Sequence, residues 1–158
     1  MILKNKKGLI FGIANDHSIA WGIAEKLYNH GAEISLTYQN EILLKRIKPL
    51  AEKINATQLT KCDFSEIDSI QNCFNEIQKK WQKIDFVIHA AAFSNKSELN
   101  GKYINTSKEN FSRTLNISCY SFTEISKYAS EMMHEGGSLL TMSFYGANKL
   151  CLIVGNLR

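Results

Sequence analysis

Little in this chain interrupts a globular fold. Of 158 residues a single one is proline, Pro49. No internal repeat or low-complexity linker divides the sequence, so its length gives one domain, able to bury roughly 70% of the surface its unfolded form exposes. No apolar run approaches the roughly 18 residues of a membrane span. The run after Lys4, Lys6 and Lys7 is too short for a signal peptide and ends at Gly12. The net charge of +4 is mild and the lysines are scattered. That pattern does not suggest a nucleic-acid binder, and neither a nucleic acid nor a membrane is expected as partner. The cysteines, Cys62, Cys73, Cys119 and Cys151, lie far apart and form no CxxC pair. They build neither a zinc site nor a disulfide framework, and no histidine pair has metal-ligand spacing. A reducing, cytoplasmic setting without a metal is the expectation.

What remains is a regular alternation. Leu9-Ile10-Phe11 predicts a first strand and Ile19 to Asn29 a helix opened by Ser18 and ended by Gly31. Ala32 to Tyr38 predicts a second strand. Leu43, Ile47, Leu50, Ala51 and Ile54 give a helical period over Glu41 to Ile54, which Pro49 should kink or restart near Lys48. Ala56 to Cys62 predicts a third strand. A helix follows over Asp63 to Trp81, capped by Asp63 or Ser65, with Ile67, Ile70, Phe74, Ile77 and Trp81 on one face. Ile84 to Ala91 predicts a fourth strand and Phe93 to Asn105 the longest loop. A long helix over Thr106 to Met133 should turn Phe111, Leu115, Phe122, Ile125 and Ala129 inward. Gly136-Gly137 break it before a fifth strand, Ser138 to Phe144. Strand–helix alternation with continuously apolar strands argues an α/β, doubly wound parallel sheet of Rossmann type. Ligands of such sheets bind at the carboxyl ends of the strands, so the loops there should converge.

Those loops carry candidate chemistry. The short-chain dehydrogenase spacing G-x3-G-x-G would need three glycines after strand one, and only Gly12 is present. Ser18 could offer its N–H and hydroxyl to a pyrophosphate at the helix N-terminus. The same stretch also suits an ordinary strand-to-helix turn. Gln39 stands about 20 residues on, where an acid usually grips a ribose 2′-hydroxyl. It brings no charge, and no adjacent Arg meets a 2′-phosphate, which favours NADH over NADPH; a plain surface residue would look the same. Asp63 can face an adenine amino group with Phe64 flanking the ring, or can simply cap the next helix. Ala90, Ala91 and Ala92 let a backbone approach a ribose, or serve helix–sheet packing. His89 fits a core position better than a catalytic base. Tyr145, at the end of strand five, can donate to a carbonyl oxygen or enolate, or plug the sheet end.

In order along the chain these residues resemble the enoyl-acyl-carrier-protein reductases of type II bacterial fatty-acid synthesis. Gly12-Ile-Ala-Asn-Asp-His-Ser-Ile-Ala-Trp-Gly-Ile-Ala24 is similar to that family's divergent phosphate loop. Leu36-Thr-Tyr-Gln39, Cys62-Asp63, Asp85-Phe-Val-Ile-His-Ala90, Ala92-Phe-Ser94, Ser118-Cys-Tyr-Ser-Phe-Thr123 and Leu140-Thr-Met-Ser-Phe-Tyr-Gly-Ala147 extend the match over nearly all of residues 2–149. The resemblance implies hydride transfer from NADH to the β-carbon of a trans-2-enoyl thioester on acyl carrier protein. It implies that Gly12, Ser18, Ile19, Gln39, Asp63, Phe64 and Ala91 contact NADH and that Ser94 lies beside the substrate. It implies a homotetramer built through long helices.

The chain also departs from that family. Its first tyrosine after strand five falls on Phe144, with Tyr145 adjacent, and its Tyr-x6-Lys on the following helix has no counterpart. Tyr120 and Lys127 have that spacing but lie on the long helix. Tyr145 and Lys149 have the general dehydrogenase spacing but fall too soon after Ser143. The expectation is an N-terminal fragment: an incomplete NAD-binding domain over residues 1–149, ending after strand five, and an aberrant tail over residues 150–158. Where the family continues Val-Met-Pro, this chain has Leu150-Cys151-Leu152. Codons GTT-ATG-CCT read one base on give that tripeptide, so a frameshift is expected. The resulting chain should be impaired, or a non-catalytic NADH-binding remnant.

Overall fold

The computed structural model of the chain describes residues 1–143. Strand β1 (Lys7–Phe11) sits at the centre of the sheet, and its side chains are divided between two cores. Ile10 points into one, with Ile34 and Leu36 of β2 (Glu33–Tyr38). Leu9 and Phe11 point into the other, with Val87 of β4 (Phe86–His89). Period-two alternation puts neighbours on opposite faces, and both faces are apolar, so both are covered.

Helices α1 (Ile19–Asn29) and α2 (Glu41–Lys53) cover the first face through Ala20, Trp21, Ala24, Ile47, Leu50 and Ala51. Helices α3 (Ser69–Gln78) and α5 (Ser121–Ser130) cover the second through Ile70, Phe74, Ile77, Ile125 and Ala129. With β3 (Gln58–Lys61) and β5 (Ser138–Thr141) the order is β3-β2-β1-β4-β5, every pair parallel. The expected doubly wound sheet is therefore present, and the order in which strands are added reverses between β1 and β4. Register there is fixed by a small-against-large fit, since Gly8 pairs with Phe86 and a Cβ at Gly8 would enter the Phe86 ring. Asp85 reinforces it, accepting from the Lys6 ammonium at 2.7 Å and the Lys7 N–H at 2.9 Å. Partial burial pushes the Asp85 carboxyl up, but these bonds and the Lys6 and Lys83 charges outweigh it and hold the group below the usual carboxylate range.

Three expected elements differ. Helix α2 runs through Pro49 without a restart. Pro49 and Lys45, whose carbonyl loses its usual donor, are both exposed. The missing bond thus falls on the solvent face, where an unpaired carbonyl costs least, while the opposite face stays buried. Helix α3 begins at Ser69, not Asp63, and Ile67 is 92% exposed. Here Asp63 folds its carboxylate onto the N–H and hydroxyl of Ser65, at 2.9 and 2.7 Å, and its own N–H donates to Ser69 Oγ. That local turn competes with helix. Lastly, the long helix is broken into α4 (Lys108–Leu115), a π-helical turn over Asn116–Tyr120, and α5. The wider turn shifts the buried face. Asn110 and Ile117 point inward instead of Phe111 and Leu115, which are 44% and 47% exposed.

His89 is one of the core's few polar members. Ser121 spends its proton on the Ile117 carbonyl at 2.8 Å, so its oxygen accepts from Nε2–H of His89, also at 2.8 Å. Nδ1 then accepts from the Thr141 hydroxyl at 2.9 Å. Burial disfavours the imidazolium and pushes the His89 pKa below its ordinary value. Below the ordinary imidazole pKa of about 6.5 the unfolded chain takes up a proton that the native chain refuses. The contribution of His89 is therefore fully present above that pH and is lost as pH falls through it towards the native value. In urea unfolding between about pH 7 and pH 5, the native chain should lose stability faster than His89→Gln, by at most about 1.4 kcal/mol per pH unit, the limit for one proton. Parallel pH slopes for the two chains would contradict this.

Candidate functional site

A cavity of about 310 Å³ opens at the carboxyl ends of β1 to β4, beside the switch point between β1 and β4. Each of those strands delivers residues to it. Gly12, Ile13 and Ala14 follow β1, Gln39 follows β2, Asp63 and Phe64 follow β3, and Ala90 to Phe93 follow β4. The sequence-predicted residues Gly12, Gln39, Asp63, Phe64 and Ala91, dispersed over 80 positions of chain, thus line one space.

Gly12 makes that convergence possible. Its φ is +93°, and a Cβ there would run into the Ala90 carbonyl and come within 2.8 Å of the Ala91 nitrogen. The loops after β1 and β4 are therefore backbone against backbone at this point. Beyond Gly12, the chain turns into α1 through Ser18. The Ser18 hydroxyl accepts from the N–H groups of Ala14 at 3.0 Å and Asn15 at 3.1 Å, and the Ser18 N–H donates to the Asn15 carbonyl at 3.2 Å. The expected cap thus looks back into the loop and makes no side-chain bond into α1. Among the described residues, the N–H groups of Ile19 and Ala20 have no acceptor, so the amino end of α1 keeps donors for an anion. The Ile19 side chain is 67% exposed at that end.

The far side of the cavity is an ordered acidic corner. Gln39 Nε2 donates to Asp63 Oδ2 at 3.0 Å, while Ser65 holds Oδ1. Partial burial raises the Asp63 pKa. The Ser65 and Gln39 bonds and the Lys61 charge outweigh that and hold the carboxyl below its usual range. An ionised carboxylate offers about four acceptor positions, so Asp63 retains room for one further donor. Gln39, with an amide hydrogen committed to Asp63, presents its carbonyl oxygen as an acceptor. Phe64 packs on the buried His89, ring centroids 5.6 Å apart and planes 18° apart, and also meets Phe11. Its ring is consequently held from within the core.

Ser94 is not a lining residue but directly follows one, Phe93. Its hydroxyl accepts from Asn110 Nδ2 at 3.2 Å, and Asn110 Oδ1 accepts from the Asn95 N–H at 2.9 Å. Ser118 closes the same loop on the Phe93 backbone. Tyr145, with Phe144 and Lys149, lies outside the described residues. Tyr120 is exposed on the π-helical turn, away from the cavity lining. No group of three or more His, Cys, Asp or Glu stands together as a metal site among the described residues. No described helix is long and apolar enough to cross a membrane.

Reasoning from sequence missed Arg113 and Ile117, which line the cavity from α4 and the π-helical turn. Nothing local marks them. They reach the site because the π-helical turn rotates the face that a regular helix would have presented.

Comparison with known proteins agrees with this geometry. The sequence profile described as enoyl-(acyl carrier protein) reductase matches residues 12–152. The NADH-dependent enoyl-[acyl-carrier-protein] reductase of Rickettsia typhi is 52% identical over 149 residues, which are 94% of this chain and 57% of that protein. The crystal structure of the reductase from Anaplasma phagocytophilum in complex with NAD superposes with a TM-score of 0.91 at 48% identity, over 95% of this chain and 57% of that one. The Candidatus Liberibacter asiaticus reductase gives 0.93 at 43% identity, over 99% of this chain and 60% of that one. The chain thus spans somewhat more than half the length of the relatives it matches. With the profile covering most of its residues and the solved reductases superposing over nearly all of its length, this chain belongs to the enoyl-acyl-carrier-protein reductase family.

Proposed function

We propose that this chain holds NADH in the cavity at the ends of β1 to β4, as the cofactor-binding part of an enoyl-acyl-carrier-protein reductase. The observation that carries the reading is the convergence of Gly12, Gln39, Asp63, Phe64 and Ala91 on one space. The pyrophosphate would lie at the amino end of α1, against the N–H groups of Ile19 and Ala20 and beside Ser18. Use of the Ser18 N–H by the ligand would require it to leave the Asn15 carbonyl. The adenosine half would extend towards Gln39, Asp63 and Phe64. A ribose 2′-hydroxyl can donate to Gln39 or Asp63, whereas a 2′-phosphate would meet a carboxylate and an amide oxygen. That charge pattern favours NADH over NADPH.

Bound there, NADH would supply a hydride to the β-carbon of a trans-2-enoyl thioester carried on acyl carrier protein. Ser94, kept in place by Asn110, would stand on the substrate side. Tyr145 is the hydroxyl this reading assigns to the thioester carbonyl oxygen. The protein would work in the cytoplasm. Phe111 and Leu115, exposed on α4, are the apolar groups a homotetramer built through long helices would cover.

Calorimetric titration with NADH beside a crotonyl-thioester reduction assay tests the proposal. NADH should bind at least tenfold more tightly than NADPH. If turnover is measurable, Tyr145→Phe should lower it by tenfold or more with NADH affinity unchanged. Binding without turnover would make the chain a non-catalytic NADH-binding module. Absence of binding would remove the reading altogether.

A further inference from the structure

The cavity has one wall for which the family's phosphate loop and acidic corner give no role. Arg113, on α4, lays its guanidinium over the Phe93 ring, 4.7 Å from the centroid. Phe93 is itself fixed, its backbone N–H donating to Ser118 Oγ at 3.0 Å and its carbonyl accepting from the same hydroxyl. Arg113 makes no ion pair and no side-chain hydrogen bond among the described residues, although the chain elsewhere pairs Lys6, Lys61, Lys79 and Lys83 with carboxylates. It lines the cavity described above and also a second one of about 420 Å³ that shares Phe64 and Ile117 with it and is lined further by Ser65 and Asn116. Arg113 therefore stands where the two cavities meet, over Phe93 and sharing both linings with Phe64, the residue that follows Asp63.

From this placement we infer that Arg113 is a purine-binding residue: its guanidinium plane, backed by Phe93, closes over the adenine ring of the dinucleotide. The inference rests on the cofactor reading above and adds a residue to it. The physical basis is threefold. A planar guanidinium stacks on aromatic and base faces, which an ammonium does not do. A cation over a π-face is attracted to it, more strongly once the ligand excludes water. An arginine without a carboxylate partner loses no ion pair on making that contact.

The test is a fluorescence titration of the full chain and its Arg113→Gln and Arg113→Lys variants with NADH and with reduced nicotinamide mononucleotide, which lacks the adenosine half. Because Arg113 is exposed, near-UV circular dichroism should show both variants folded. Arg113→Gln should weaken NADH binding by roughly three- to tenfold and leave the mononucleotide unchanged. Arg113→Lys should lose most of the same increment, since charge without the plane is insufficient. If lysine preserves affinity, or if the loss is larger for NADPH than for NADH, Arg113 is an anion-binding residue and the stacking proposal is wrong. Equal losses for NADH and the mononucleotide would also overturn it, as would no loss in either variant. If the native chain binds neither ligand, the cofactor reading fails and takes this one with it; native binding with an indifferent Arg113 removes this one alone.

Discussion

Gly12→Ala should abolish measurable NADH binding and cost the fold about 2–4 kcal/mol, read as a shift in the urea midpoint and as a flat calorimetric titration. Two independent terms set the size. A φ of +93° is a conformation that side chains rarely adopt, so alanine pays a backbone penalty whatever space surrounds it. The space is also absent, because the new methyl would meet the Ala90 carbonyl and the Ala91 nitrogen, which are backbone atoms and cannot rotate away. Relief requires the β1–α1 loop to part from the end of β4. That movement would displace Ala14, whose N–H is tied to Ser18, and with it the amino end of α1. Gly22, where an added Cβ meets nothing, is the control. Gly22→Ala in the same helix should leave binding intact and stability equal or slightly higher, since alanine is the better helix former. Unchanged NADH affinity in Gly12→Ala would show that the backbone contact does not shape the site.

The comparison of these two glycines shows which parts of the molecule its sequence made legible. Strand and helix alternation was readable because burial on both faces of the sheet leaves apolar runs, and its consequence, a doubly wound parallel sheet, followed from the rules of handedness and connection. The converging loops followed in turn, so the meeting of Gly12, Gln39, Asp63, Phe64 and Ala91 was implicit in the sequence. Misreadings arose where a local bond competes with a period. The Asp63–Ser65 turn delays α3 and leaves Ile67 outside, although its spacing from Ile70 is helical. The π-helical turn over Asn116–Tyr120 moves the inward face from Phe111 and Leu115 to Asn110 and Ile117. No residue type announces a π-helical turn, so Arg113 and Ile117 could not have been assigned to the cavity from spacing. At Pro49 the expected restart is absent, because α2 continues through it. The cost of proline in a helix is real, but Pro49 and Lys45 lie on the solvent face, where an unpaired carbonyl costs least, and the buried face decides.

Trp21→Ala should remove roughly 3–5 kcal/mol, the cost of deleting a buried indole and leaving a cavity. Trp21 is buried in the core that contains Ile10, Leu36, Ile47 and Leu50, and with Ala20 and Ala24 it forms the inward face of α1. The amino end of that helix, immediately before Trp21, is the proposed anion site, so Trp21 anchors the pyrophosphate donors of Ile19 and Ala20 without itself lining the cavity. Stability and binding then separate in a way that can be measured. A saturating ligand raises stability by about 2.7 kcal/mol at one hundred times its Kd, independent of the starting stability. In Trp21→Phe, which keeps an aromatic ring in the core, thermal unfolding should show a lower midpoint but nearly the native increment on adding NADH. In Trp21→Ala, α1 is free to shift into the space left behind, and the increment should shrink as Ile19 and Ala20 move off the pyrophosphate. A full native increment in Trp21→Ala would mean that the amino end of α1 is positioned by the Gly12 loop alone. Loss of the increment in both variants would mean that the cradle depends on the whole indole, with its ring too large for phenylalanine to replace.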